Sequence, residues 1–157
     1  MQPLQEPETG AVVAAGLIGI LILLTPCTVL DLRKKKLPVI YLGIFLAAAV
    51  VINLVTGRIA LWEMIFGILY GGVFLLISVL TKGAIGFGDG VMISAAGAWT
   101  GVVFTMTASI FAFLSAGIFG LIYIKVKKMD RKTKFPYAPF FLFNCLWIGV
   151  LEWITGG

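Results

Sequence analysis

The run VMISAAGAWTGVVFTMTASIFAFLSAGIFGLIYI, residues 91–124, carries no charge. As one helix it would extend about 51 Å at ~1.5 Å per residue, well beyond the ~30 Å hydrocarbon layer of a bilayer. As two helices turning near Trp99-Thr100-Gly101, each is short. The flanking charges favour two. Lys125–Lys134 holds six basic residues and one acid, Asp130. Two spans place that loop on the same side as Arg33–Lys36 and Lys82; one span places it opposite, against the tendency of basic loops to stay cytoplasmic.

Working outward, Ala11–Leu30 is an uncharged run long enough to cross a bilayer. Pro26 near its end is expected to bend it. Met1–Gly10 is polar and lacks the basic start of a secretory signal, so the first run is read as retained, behind an extracytoplasmic tail of residues 1–10. Asp31 to Pro38 reads as a polar connector, Val39–Val55 as the second span and Thr56-Gly57-Arg58 as a tight turn. Ile59–Leu80 is the third span. Thr81–Gly90 reads as a glycine-rich loop, and Pro136–Trp153 as the last span. The expected fold is all-α: one membrane-embedded domain over residues 1–157, with six transmembrane helices and both termini outside the cytoplasm. All basic residues but Arg58 then fall on the cytoplasmic side. Trp62, Trp99 and Trp153 fall opposite, as an aromatic belt.

Composition agrees. The chain is 61% hydrophobic and 12% charged, against about 25% charged in ordinary soluble domains, and its mean hydropathy is +1.09. Histidine is absent, which excludes Ser-His and Cys-His catalysis and histidine metal sites. Cys27 and Cys145 each lie inside an apolar run and form no CxxC, so they read as buried small hydrophobes. The net charge of +5 sits in short loops. It sets topology and does not form a nucleic-acid-binding face.

The acids sort by position. Glu6 and Glu8 lie in the polar tail, Asp130 lies among lysines, and Glu63 and Glu152 neighbour outer tryptophans. Asp31 and Asp89 remain, at the cytoplasmic ends of the first and fourth spans. A carboxylate there is costly, roughly 2.5–3.5 kcal/mol at mid-helix and less near an interface. Two carboxylates at one depth are what an aspartyl protease requires: one acts as base on water, while the other, protonated, binds the scissile carbonyl. Structural roles stand beside this one. Asp31 balances Arg33 and its neighbours, and Asp89 caps the fourth helix. Gly86-Phe87-Gly88-Asp89-Gly90 lacks the third glycine of a dinucleotide fingerprint and has no Walker lysine. Its single carboxylate is too few for a calcium cage.

Three segments resemble the type IV prepilin peptidases, membrane aspartyl proteases of the GxGD class. Asp31-Leu32-Arg33 through Lys36-Leu37-Pro38 is similar to that family's first-aspartate motif. Gly86-Phe87-Gly88-Asp89, running on to Gly97-Ala98-Trp99-Thr100-Gly101, is similar to its GxGD helix. Phe135-Pro136-Tyr137-Ala138-Pro139-Phe140 is similar to its closing segment. The resemblance implies an aspartic endopeptidase of the plasma or inner membrane, its active site facing the cytoplasm. Asp31 and Asp89 would be the catalytic pair, Gly86 and Gly88 the backbone support, and Tyr137 and Phe140 candidates for a substrate groove, with ordinary packing as the alternative. The substrate would be a prepilin or pilin-like protein with a short basic leader; no metal or other cofactor is implied. Lys34–Lys36 and Lys125–Lys134 are expected to meet anionic lipid head groups.

Two departures stand out. Gly90-Val91 replaces the family's frequent Val-Lys. The extra cytoplasmic region with paired cysteines, linked to N-methylation, is missing, so cleavage without methylation is expected. The alternatives are a non-catalytic relative acting in pilus assembly and a small ion transporter using the two carboxylates.

Overall fold

A computed structural model describes residues 6–34, 37–81, 86–127 and 136–155, and the described residues form six α-helices. They are α1 (Glu6–Lys34), α2 (Val39–Thr56), α3 (Leu61–Leu80), α4 (Phe87–Thr100), α5 (Val102–Lys127) and α6 (Ala138–Thr155). Five are long and apolar enough to cross a membrane; α4 is not. Its 14 residues reach about 21 Å. The six expected helices are therefore present, and one is shorter than a crossing.

The break between the fourth and fifth helices falls where the sequence places it. Gly101 donates its N–H to the Gly97 carbonyl at 2.9 Å, and its φ of 87° is a conformation glycine adopts without strain. Gly57, with φ 60°, closes α2 in the left-handed conformation.

Several boundaries depart from expectation: among them, α3 begins at Leu61 and not Ile59, and α5 runs past Ile124 to Lys127, into the expected basic loop. The helix of the first span begins at Glu6 and runs through Asp31 to Lys34, where a tail and a connector were expected. Acidic residues favour a helix N-terminus, Pro7 is tolerated in a first turn, and no breaker stands between Asp31 and Lys34. The GxGD segment is not a loop: Gly86 precedes α4, and Phe87 to Gly90 are its first turn. The last helix begins at Ala138, two residues after Pro136.

The short helix is the hub. α4 packs against α3 most extensively and also against α2, α5 and α1, while α6 packs against α1 and α5. Every residue of α4 from Gly90 to Ala98 is buried. Small residues allow this closeness, because membrane helices gain little from the hydrophobic effect and associate by tight packing. A Cβ on Gly97 would collide with the Gly67 backbone, and one on Gly71 with Ser94. Ser94 adds a hydrogen bond from its hydroxyl to the Ile68 carbonyl at 3.2 Å. Around this hub the surface is apolar, with Ile40, Leu69, Leu121 and Val126 all exposed. That is the surface of a protein solvated by lipid.

Candidate active site

Asp31 lies in the last turns of α1 with 7% of its surface exposed. A negative side chain near a helix C-terminus is unfavourable on its own helix. Another helix supplies the compensation: the backbone N–H of Ala138 donates to Asp31 Oδ2 at 3.1 Å. Ala138 opens α6, whose first turn closes when the Phe140 and Phe141 amides donate to the Tyr137 carbonyl, each at 3.1 Å. Asp31 is thus the anion at the positive end of α6.

Asp89 is half-buried in the first turn of α4, and its amide donates to the Gly86 carbonyl at 3.0 Å. Its carboxylate folds back over Gly86: a Cβ there would stand 2.6 Å from Asp89 Oδ2. Two residues after Gly86, a Cβ on Gly88 would stand 2.6 Å from that of Leu37, in the segment that follows Asp31. A Cβ on Gly90 would stand 2.8 Å from the Leu75 amide. The three motif glycines are therefore sites of close approach. One makes room for the carboxylate, one sets α4 against the chain leaving α1, and one sets it against α3. Val91, where many members of the resembled family have lysine, lies in the core at 9% exposure.

The two acids act on neighbouring residues. Asp31 binds the Ala138 amide. The Tyr137 hydroxyl is held well above its ordinary value of 10.0, first by burial and next by the charge of Asp89, with Cys145 and Tyr70 contributing less.

Tyr137 is 7% exposed. Its ring stacks on Phe113 with centroids 4.6 Å apart and lies 5.8 Å from Phe141; Phe113 in turn stacks on Phe74 at 5.3 Å, and Phe74 meets Tyr70 edge-on at 5.2 Å. In this conformation Tyr137 is packing between helices, with no open groove wall. Phe140 is half-buried and tilted against Phe119 at 5.5 Å. The aromatic ladder was not read from the sequence, although Tyr70/Phe74 and Tyr137/Phe141 each have the i,i+4 spacing that places rings on one helix face.

Polar groups elsewhere also escaped the sequence reading. Thr28 Oγ1, three residues before Asp31, is buried without a hydrogen-bond partner among the described residues. At the far end of α4, Arg58 donates to the Trp99 carbonyl and to Asn53 Oδ1 at 3.3 Å. Asn53 Nδ2 reaches the Ala98 carbonyl at 2.6 Å, and the Arg58 guanidinium lies 4.3 Å from the Trp99 ring centre. Burial holds the Arg58 guanidinium below its ordinary value. The one basic residue outside the expected cytoplasmic set thus caps the C-terminus of α4.

Trp62 and Trp153 are exposed, but Trp99 is not a belt residue. It turns inward, and its indole N–H donates to the Gly16 carbonyl at 3.1 Å. An apolar cavity of about 350 Å³ lies beside it, between α1 and α2, lined among others by Gly19, Ile22, Phe45 and Ala49.

Cys27 and Cys145 are free and buried, as expected. No group of three or more His, Cys, Asp or Glu side chains suited to a metal occurs among the described residues. Lys35, Lys36, Lys82, most of the Lys125–Lys134 loop and Phe135 lie outside the described residues.

A model of the type IV leader peptidase family matches residues 17–124, which include both Asp31 and Asp89 and end before α6. The chain is 30% identical over 80 residues to a prepilin leader peptidase/N-methyltransferase of Legionella pneumophila. That alignment covers 48% of this chain and only 28% of the relative. No solved structure matches significantly.

Proposed function

The chain belongs to the type IV leader peptidase family, and from that footing we propose that it is a membrane aspartyl endopeptidase acting on prepilins or pilin-like proteins. It removes their short basic leader at the cytoplasmic membrane face, after a glycine and just before the hydrophobic helix. Asp31 and Asp89 are its catalytic pair. The observation that supports this is geometric: Asp31 accepts from the Ala138 amide, and Gly88, beside Asp89, is fitted against Leu37 in the segment that follows Asp31.

In this reading the two carboxyl groups share one proton, because like charges held close do not both ionise readily. They titrate as a pair. The ionised carboxylate takes a proton from water as the water oxygen bonds to the scissile carbonyl carbon. The protonated partner gives its proton to the carbonyl oxygen. Collapse of the tetrahedral diol breaks the C–N bond, and the departing nitrogen takes the proton held by the first carboxylate. The other carboxylate recovers its proton from the diol, so the pair ends as it began.

Topology fits this role. In this reading α4 completes a sixth crossing and both termini lie outside, so that Asp31 and Asp89 face the cytoplasm among the basic loops, which meet anionic lipid. The acids supply the local negative potential that draws in a basic leader. Phe140, half-buried in the first turn of α6, offers apolar surface to the residues that follow the cut, while Tyr137 is held in the packing by Phe113 and Phe141.

The test is incubation in detergent with a prepilin bearing a basic leader, a glycine and an apolar helix, read by mass spectrometry. A single cut after the glycine is expected, and none with Asp31→Asn or Asp89→Asn. Normal cutting by both variants would overturn the assignment. Ion movement in liposomes without any cleavage would replace it with a transporter.

A further inference from the structure

Proline 26 lies inside α1, five residues before Asp31. Having no N–H, it leaves the Ile22 carbonyl without its helical donor. Ile22 is 57% exposed on the apolar surface, where no water stands in and an unsatisfied carbonyl is expensive. The missing donor comes from another helix: the Tyr41 hydroxyl, in the first turn of α2, donates to the Ile22 carbonyl at 2.5 Å.

This link has few substitutes. α1 and α2 follow each other in the chain but are not among the well-packed helix pairs, and the apolar cavity separates their other halves. α2, in contrast, packs on α4, the helix of Asp89. Its start follows directly from Leu37, the residue against which Gly88 is fitted. Tyr41 therefore ties the weakened point of α1 to the elements that hold Asp89.

We infer that Tyr41 is a positioning residue for the acid pair: its hydroxyl replaces the amide that Pro26 lacks and so fixes how the last turns of α1 present Asp31 to α6 and Asp89. This rests on the peptidase reading for its catalytic consequence, though not for its structural one.

The experiment is a double-mutant cycle of Tyr41→Phe and Pro26→Ala in detergent. Phenylalanine keeps the ring and its packing. Alanine at 26 restores the amide, so the hydroxyl becomes redundant. Two readouts are taken: prepilin cleavage, and hydrogen exchange of the segment around Ala138, whose amide is the one Asp31 accepts. Tyr41→Phe should lower kcat about tenfold with KM little changed and speed exchange at the start of α6 by a similar factor, the size expected for one lost hydrogen bond of this kind.

In the Pro26→Ala background the same substitution should change either readout by less than about twofold. Equal effects in both backgrounds, or no effect of Tyr41→Phe on exchange, would overturn the inference. A rise in KM alone would overturn it too. If the intact protein cuts no prepilin, the peptidase reading falls, and exchange alone then decides whether Tyr41 positions Asp31.

Discussion

Asp31 and Ala138 are joined by a 3.1 Å hydrogen bond across 107 positions of the chain. The end of α1 thereby caps the beginning of α6, and a side chain offered as catalytic is also a structural anion. The two roles separate by substitution. Asp31→Asn keeps an acceptor for the Ala138 amide, whereas Asp31→Ala removes it and should lower stability by about 1 kcal/mol, the usual worth of a helix cap. Both should abolish cleavage. Thermal unfolding in detergent beside the cleavage assay distinguishes them: Asn inactive but near wild-type in stability, Ala inactive and less stable.

The glycines of α4 should fail in two different ways. The nearest atoms that a Cβ at the exposed Gly86 would meet belong to the Asp89 carboxyl group. Gly86→Ala should therefore cost on the order of a hundredfold in cleavage, the scale of a displaced catalytic group, with little loss of stability. A Cβ at Gly97 meets the Gly67 backbone, which cannot rotate away. Gly97→Ala should lower stability by about 1–3 kcal/mol or more, measured by thermal unfolding.

Arg58 should matter for stability despite its distance from the acids. Its hydrogen bonds to Trp99 and Asn53 close the end of α4. Arg58→Ala should cost about 2 kcal/mol, as for charged hydrogen bonds lost from a partly buried site. Arg58→Lys should recover only part of this, because an ammonium does not reproduce the planar fork.

Alkaline unfolding should report on Tyr137. Its hydroxyl is raised above the ordinary 10.0 by burial and then by Asp89, so the folded chain holds the proton more tightly than the unfolded one. The stability this contributes is fully present below pH ~10 and is lost as pH rises beyond it, where the unfolded state alone releases the proton. Tyr137→Phe should flatten that alkaline decline while leaving the neutral-pH baseline within about 1 kcal/mol, since among the described residues the hydroxyl makes a long 3.5 Å hydrogen bond to the Ser109 carbonyl.

Thr28→Val should not destabilise. The hydroxyl is buried without a partner among the described residues, so replacing it with a methyl of the same shape removes a desolvated group and should leave stability unchanged or up to about 1 kcal/mol higher. A clear loss of stability would mean that the hydroxyl is satisfied in the membrane.

The sequence by itself determined the all-helical architecture and the break at Gly101, and it pointed to Asp31 and Asp89 as the candidate acids. These follow from local quantities: the length of an uncharged run, glycine at a required positive φ, and the rarity of acids beside apolar segments. It mistook the extent of α1 and the helical state of Phe87–Gly90, because glycine and aspartate favour turns locally and only packing against α3 and Leu37 makes them a first helical turn. It placed Trp99 in the lipid belt, since a tryptophan near a span end carries no mark of which way it faces. The tertiary structure alone decided that α4 is a short buried hub, that Asp31 caps α6, that Tyr137 is enclosed by an aromatic ladder, and that Arg58 closes α4. The reason is common to all four. In a chain solvated by lipid, the lipid-facing and protein-facing sides of a helix are both apolar, so hydrophobic periodicity does not separate them. Which residues meet is settled by close fit and by hydrogen-bonding partners far away in the chain, and neither is written in the local pattern.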